Sequence, residues 1–270
     1  MKARSLLIAA LLGFVGLATV DAVQPAIAGA QDWDVDEFNM DTDSANDSVV
    51  IYAVGTASPT PWVIALSEVC RTEAENLDAA LDAYGFATGT VNFIVTKSNS
   101  SVCDNNADRG NAIWIRGSSL TYSPIDTLTQ DPNDNAGEVR KGICNRANTF
   151  LGYIAACSNH FTKNSGTYAQ TQATETRTAM SFLYSGVSKW GAGDFNLRPP
   201  GCSSPCTPVP SGWYSNYYEG DDPTNGETRD THVKNDFIFG AQNTFTGTGS
   251  ATITPVSTSD HHYYRARFTS

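Results

Sequence analysis

Gly191-Ala192-Gly193-Asp194-Phe195-Asn196 closes an apolar approach containing Val187 and Trp190 and sets a carboxylate two residues from a carboxamide. In an extended chain, residues i and i+2 share a face, so Asp194 and Asn196 aim at one phosphate, water or metal ion. The neighbouring glycines let the backbone approach a ligand closely. The same residue types also build an ordinary turn. Which reading holds depends on whether the rest of the chain supplies partners.

Working outward, polar groups recur where apolar runs stop. Trp33 to Phe38 alternates, with Trp33, Val35 and Glu37 on one side and Asp34, Asp36 and Phe38 on the other, and reads as a strand ending at Asn39. Trp62 to Leu66 is a continuous apolar run of the kind expected of a buried strand, stopping at Ser67-Glu68. Ala74, Leu77, Leu81 and Tyr84 recur at helical spacing, with Glu73 and Glu75 in the first turn and Gly85 at the end. Strand-like runs follow at 90–96 and 111–116. A hairpin is expected from 139–144 and 150–157, turning at 145–149 and leading to His160. Residues 167–184 carry Ala169, Ala173, Met180 and Leu183 on one helical face. Residues 197–233, rich in Pro, Gly and Asp, read as a long surface loop, and 46–54 and 241–258 give no assignable period. Phe237 to Phe239 is a short strand after Asp236, and Ser259-Asp260-His261 is a polar corner before a last alternating strand. Strands alternating with helices, together with a hairpin, point to an α/β fold with mixed sheets.

Lys2 and Arg4, the apolar run from Leu6 to Val20 and the small residues Ala28-Gly29-Ala30 read as an export signal over residues 1–30, leaving 31–270 as a single domain. The run is shorter than the roughly 20 residues of a membrane anchor, so a secreted protein without stable membrane insertion is expected. Without that segment the 17 basic and 28 acidic residues become 15 and 27, a net charge of −12. Such a chain lacks the basic footprint of passive adhesion to nucleic acid or anionic membrane. An enzyme that handles phosphodiesters through divalent cations is not excluded, because the ion supplies the local positive charge. Six cysteines in an exported chain suggest three disulfides. Of the fifteen possible connectivities, local order favours Cys70–Cys103, Cys144–Cys157 and Cys202–Cys206. Pairing all of them leaves no cysteine nucleophile.

The strand-end inventory comprises Asn39, Glu68, His160, Asp194 with Asn196, Asp236 and Asp260 with His261. It offers hard oxygen ligands suited to magnesium, manganese or calcium, and histidines able to move protons. A Gly-x-Ser-x-Gly elbow and a phosphate-binding P-loop are both missing from the sequence.

Seven ordered motifs resemble the endonuclease/exonuclease/phosphatase superfamily, which includes the deoxyribonuclease I-like enzymes. Glu37-Phe38-Asn39-Met40 resembles its first strand, and Ile64-Ala65-Leu66-Ser67-Glu68-Val69-Cys70 its metal-binding Leu-Gln-Glu strand. Gly110-Asn111-Ala112-Ile113 is similar to a recurrent Gly-Asn-Ala-Ile segment, and Cys157-Ser158-Asn159-His160-Phe161 to the Thr-His-Leu motif. Gly193-Asp194-Phe195-Asn196 matches the Gly-Asp-Phe-Asn motif. Lys234-Asn235-Asp236-Phe237-Ile238-Phe239 resembles Lys-Ile-Asp-Tyr-Ile-Phe, and Ser259-Asp260-His261 the terminal Ser-Asp-His. Ser67, Asn159 and Asn235 depart from the usual residues without removing a catalytic side chain.

The resemblance implies a four-layer α/β/β/α sandwich, in which two packed mixed sheets are flanked by helices. It implies Glu68 as principal ligand of a catalytic cation (Mg2+, or Mn2+ or Ca2+), with Asn39 and Asp260 nearby. Asp194 and Asn196 would orient the attacking water and phosphate oxygens. His261, paired with Asp236, is a general base or phosphate clamp. His160 stabilises charge or protonates the leaving oxygen, and Arg140 contacts phosphate. No motif supplies the upstream glutamate or tyrosine partner that the family gives to the His160 position. His232 and His262 match no motif and are expected at the surface or in packing.

The expected activity is metal-dependent hydrolysis of a phosphodiester, with extracellular DNA as substrate and no protein partner implied. A phospholipid phosphodiesterase of the sphingomyelinase kind is the alternative. Its docking hairpin has one candidate, the tyrosine-rich Trp213 to Tyr218, which is expected instead to cover the core edge beside the disulfide loop. A catalytically silent binding protein is disfavoured by the retained Glu68, Asp194, Asn196, Asp260 and His261.

Overall fold

Alternation in the first strand, β1 (Asp32–Asn39), separates two environments. Trp33 and Val35 enter a core with Ala65, Ile154, Trp190 and Ile238. Phe38 faces the other way, onto a second core with Val50, Val54, Leu77 and Leu81. The outward Asp34 and Asp36 are buried, a costly position for a carboxylate without partners. Arg267 and Arg265 from the neighbouring strand meet them with paired hydrogen bonds of 2.9 and 3.0 Å and of 2.6 and 2.6 Å.

The computed structural model describes residues 31–41, 46–86, 89–126, 128–134, 137–220 and 226–270. The expected export signal lies outside them. After β1 come α1 (Asn46–Thr56), β2 (Val63–Cys70), α2 (Arg71–Ala83), β3 (Asn92–Lys97), β4 (Arg109–Ile115) and β5 (Ser118–Ile125). β6 (Gly142–Thr149), β7 (Gly152–His160), α3 (Gly166–Leu183), β8 (Ser188–Asp194) and α4 (Ser211–Asn216) follow. The chain closes with β9 (Tyr217–Glu219), β10 (Asp236–Ala241), β11 (Gly247–Thr254) and β12 (Tyr263–Thr269).

The strands form two six-stranded mixed sheets, β11-β12-β1-β2-β4-β3 and β5-β6-β7-β8-β10-β9. Apolar side chains from both sheets interdigitate between them, α1 and α2 cover the outer face of the first sheet, and α3 and α4 that of the second. This is the expected four-layer sandwich. No helix among the described residues is long and apolar enough to cross a membrane.

Several local expectations give way to tertiary context. The hairpin turns at 149–152, not 145–149. Asn145 to Thr149 continue β6 because Cys144 opposes Cys157 and every residue through Thr149 finds a partner on β7. The turn itself is closed by Thr149, whose hydroxyl donates to the Gly152 carbonyl at 2.8 Å, and by Gly152 at φ +112°. Leu183 is exposed, since α3 ends there, whereas Ala169, Ala173 and Met180 of that stripe are buried. The segment 197–233 is not all loop: it contains α4 and β9, anchored by Trp213, whose indole N–H donates to the Ala173 carbonyl at 3.0 Å. Trp213 packs against Phe195, Tyr217 and Phe239, as expected of residues covering a core edge.

The three disulfides are those expected from local order. Cys70–Cys103 ties the end of β2 to the short turn at Asp104–Asn106. Replacing Cys70 and Cys103 together with serine frees a crosslink across 33 residues and is expected to lower stability by about 3 kcal/mol. Urea denaturation measures this, and an unchanged midpoint would contradict it.

Candidate active site at one edge of the sandwich

The pairing registers bring the polar strand ends into line. β7 and β8 run parallel with His160 beside Asp194, and β10 runs antiparallel to β8 with Asp236 beside Asp194. In the opposite sheet, β1 and β2 are parallel with Asn39 beside Ser67, and β12 returns antiparallel to β1, so the chain enters it from His261 at the same edge. Asn39, Glu68, His160, Asp194, Asp236 and His261 therefore converge where the two sheets meet.

Backbone irregularity aims two of these side chains. Between Leu66 and Val69 the β2–β4 register slips, a β-bulge, and Glu68 sits there at φ +51°. A non-glycine residue in the left-handed region is strained and concentrates at functional sites. The bulge lifts Glu68 out of the alternation, so that its carboxylate faces His160 Nε2 at 3.4 Å and Arg109 at 3.5 Å. At the other irregularity, Gly193 has φ +135° and lies so close to β7 that a Cβ would stand 1.9 Å from the Asn159 carbonyl. Only glycine fits. Phe195 then anchors the strand end in an aromatic cluster with Phe161, Trp213 and Phe237. Asn196, left-handed at φ +49°, donates its backbone N–H to Asp194 Oδ1 at 2.8 Å and its side-chain amide to the Phe161 carbonyl at 2.9 Å.

Asp194 is the hub. Its Oδ2 accepts from Asn39 Nδ2 at 3.1 Å and stands 3.7 Å from both His160 Nε2 and His261 Nε2. Burial, then repulsion from Asp236, raises its pKa to about 6 against the opposing pull of His261 and the Asn196 amide. His261 Nδ1 meets Asp236 at 2.8 Å. Burial alone would lower its pKa, but the charge and hydrogen bond of Asp236 outweigh that and carry it to about 9. Asp236 is itself fixed by a backbone N–H bond to Thr228 Oγ1 at 3.0 Å. Ser259 Oγ joins the two ends of the first sheet, accepting from the His261 amide at 3.0 Å and donating to the Asn39 carbonyl at 3.2 Å.

His160 is held in the opposite state. Its Nδ1 faces an Arg140 guanidinium nitrogen at 3.2 Å, and a guanidinium only donates, so Nδ1 is the acceptor and Nε2 carries the hydrogen. Burial, then the charges of Arg140 and Arg109, holds the pKa of this imidazole well below its ordinary value. An arginine therefore stands against His160, where the resemblance implied a glutamate or tyrosine. Arg140 is buried and occupied: Asp134 takes Nε at 2.9 Å and a second nitrogen at 3.2 Å, and Glu138 lies at 3.2 Å. Its guanidinium is thus shared among Asp134, Glu138 and His160. Asp260 stands at the rim, paired with Arg229 and 3.5 Å from His261 Nε2. His232 is exposed and pairs with Glu227, while His262 bonds Asp230 at 3.0 Å, both away from the hub.

The sequence reading passed over Glu37. It is fully buried on the core-facing side of β1, neither oxygen has a hydrogen-bond partner among the described residues, and it faces Asp236 and Asp194. Burial, then the neighbouring carboxylates, pushes its pKa well above the ordinary range. The available signal was its place in register with Trp33 and Val35, where an acid is out of keeping with an apolar face.

For a cation, the donors fit a hard ion: among the described residues Glu68 is held by nothing shorter than 3.4 Å, and single ligand atoms of Asp194, Asp236 and His261 lie within 4.8 Å of one another. In that trio His261 Nδ1 is engaged by Asp236, leaving Nε2 and the carboxylate oxygens to face an ion. In chelator, imidazole NMR titration is expected to show one histidine, His261, with a midpoint near 9 and another, His160, still neutral well below 6.5. Asp236→Asn should bring the high midpoint down, and an unmoved midpoint would refute the pairing.

No protein-family profile matches this chain. The comparison with curated proteins likewise finds no match. Solved structures do share its fold. An endonuclease/exonuclease/phosphatase from Beutenbergia cavernae superposes with a TM-score of 0.68 at 18% identity, covering 88% of this chain and 71% of that one. Another from Bacteroides vulgatus gives 0.65 at 15%, covering 88% and 98%. The human Nocturnin catalytic domain with bound sulfate gives 0.63 at 14%, covering 88% and 93%.

Proposed function

From the endonuclease/exonuclease/phosphatase fold, we propose that this chain is a secreted, divalent-cation-dependent phosphodiesterase, specifically a nuclease that hydrolyses extracellular DNA by in-line attack of water. The observation that carries this reading is the juxtaposition of Glu68, thrust out by the bulge, with Asn39, Asp194 and His261 gathered from both sheets. Glu68 with Asp260 would hold the ion, and Asn39 lies beside them. The ion neutralises charge that develops on the phosphoryl oxygens.

The chain's own groups divide the remaining work. Asp194, with a pKa of about 6, is ionised at neutral pH yet close enough to it to accept a proton from water. Asn196, rigid in its left-handed turn, orients that water and the phosphate. His261 with a pKa of about 9 is almost wholly cationic at pH 7, so of its two expected roles it takes the clamp and leaves the base to Asp194. His160 donates a hydrogen bond from Nε2 and, being neutral, stabilises charge without releasing a proton. Arg140 is a positioning residue behind it.

Three disulfides with no free cysteine support an oxidising, extracellular setting. The phospholipid reading loses its docking hairpin, because Trp213 is buried in the core. Nicking of supercoiled plasmid in magnesium, abolished by chelator, is the expected result. Asp194→Ala and Glu68→Gln should each lower the rate at least about 100-fold with melting temperatures close to wild type. Intact plasmid alongside release of phosphocholine from sphingomyelin vesicles would overturn the nuclease assignment.

A further inference from the structure

Beside the candidate site a cleft of about 340 Å³ is lined by Arg198, Pro200, Cys202, Glu227, His232 and Lys234. Two of its three basic side chains are already neutralised: Lys234 Nζ lies 2.5 Å from Glu219 and His232 2.7 Å from Glu227. Arg198 is different. Its guanidinium touches only the Leu197 and Lys234 carbonyls, both at 3.5 Å, and has no carboxylate partner among the described residues. It is half-buried, and burial costs a guanidinium least when an anion pairs with it.

Its placement is rigid. The Arg198 amide donates to the Thr207 carbonyl at 2.9 Å, and its own carbonyl accepts from Val209 at 2.8 Å. The Cys202–Cys206 disulfide closes the loop between. Two residues upstream is Asn196, and Arg198 lies within electrostatic reach of Asp194 and Asp236. On that anchored backbone, a guanidinium fork beside the candidate site suits bidentate recognition of a phosphate. A polynucleotide carries one next to the bond being cut, whereas a phosphocholine headgroup diester does not.

Resting on the nuclease reading above, we propose that Arg198 and its cleft form a specificity-determining subsite for the phosphate adjacent to the scissile one in a polynucleotide chain. The test is fluorescence anisotropy of a labelled short oligothymidylate binding to the full mature chain in chelator, over a series of NaCl concentrations. Arg198→Ala is expected to weaken binding about tenfold and to flatten the plot of log affinity against log salt by about 0.7, one phosphate contact on a single strand. Arg198→Lys should restore the slope with only part of the affinity, because it keeps the charge and loses the fork. Unchanged affinity, or weaker binding at an unchanged slope, would overturn the subsite, the second outcome marking a packing role. Plasmid cleavage by wild type together with either result sinks the subsite alone. A wild type that neither cuts nor binds sinks the nuclease reading and the subsite with it.

Discussion

Asp194 is a carboxylate nearly closed off from water, and its position depends on a hydrogen bond from Asn39 of the opposite sheet. A buried carboxylate without donors is costly, so the edge of the sandwich must bring Asn39, the Asn196 amide and two imidazoles around it. That requirement ties together the parallel β1–β2 and β7–β8 pairs, the antiparallel returns of β10 and β12, and the Ser259 bridge. Sheet packing and site geometry are one constraint.

The strain in the structure falls at the same edge. Glu68 at positive φ in a bulge and Gly193 pressed against the Asn159 carbonyl are conformations that a regular sheet would not choose. They are maintained by neighbours: Ser158 reaches across to the Leu66 carbonyl at 2.8 Å, Phe195 locks into its aromatic cluster, and Cys70 is crosslinked two residues beyond Glu68. Glu37, with no hydrogen bond among the described residues and two carboxylates for neighbours, has its pKa pushed well above the ordinary range at the floor of the site, first by burial and then by those neighbours. Local cost at the site is offset by apolar burial in three cores.

Two histidines of one site are driven in opposite directions by what stands behind them. Asp236 behind His261 favours the imidazolium, and Arg140 behind His160 forbids it. The pair thus presents an imidazolium and a neutral imidazole, each 3.7 Å from one carboxylate oxygen. Between them, Asp194 is raised to a pKa of about 6 by burial and by the neighbouring Asp236.

The sequence alone determined what depends on residue type and short spacing. The alternation of β1, the apolar run of β2, the ordered motifs with their strand-end polar residues, and the nearest-neighbour cysteine pairs were legible because each is written within a few adjacent positions. Where the chain had to be read against distant segments it was not legible. Asn145 to Thr149 look like a turn and become strand because β7 lies alongside, and α4 hides in a Pro- and Gly-rich stretch because Trp213 needs the α3 backbone to receive its N–H. Tertiary structure alone decided that Arg140 stands against His160, that Glu37 lies beneath the site, and that Arg198 has no carboxylate partner among the described residues. Those outcomes turn on burial and on the sign of the nearest charge, and neither is a property of any residue until both sheets have closed around it.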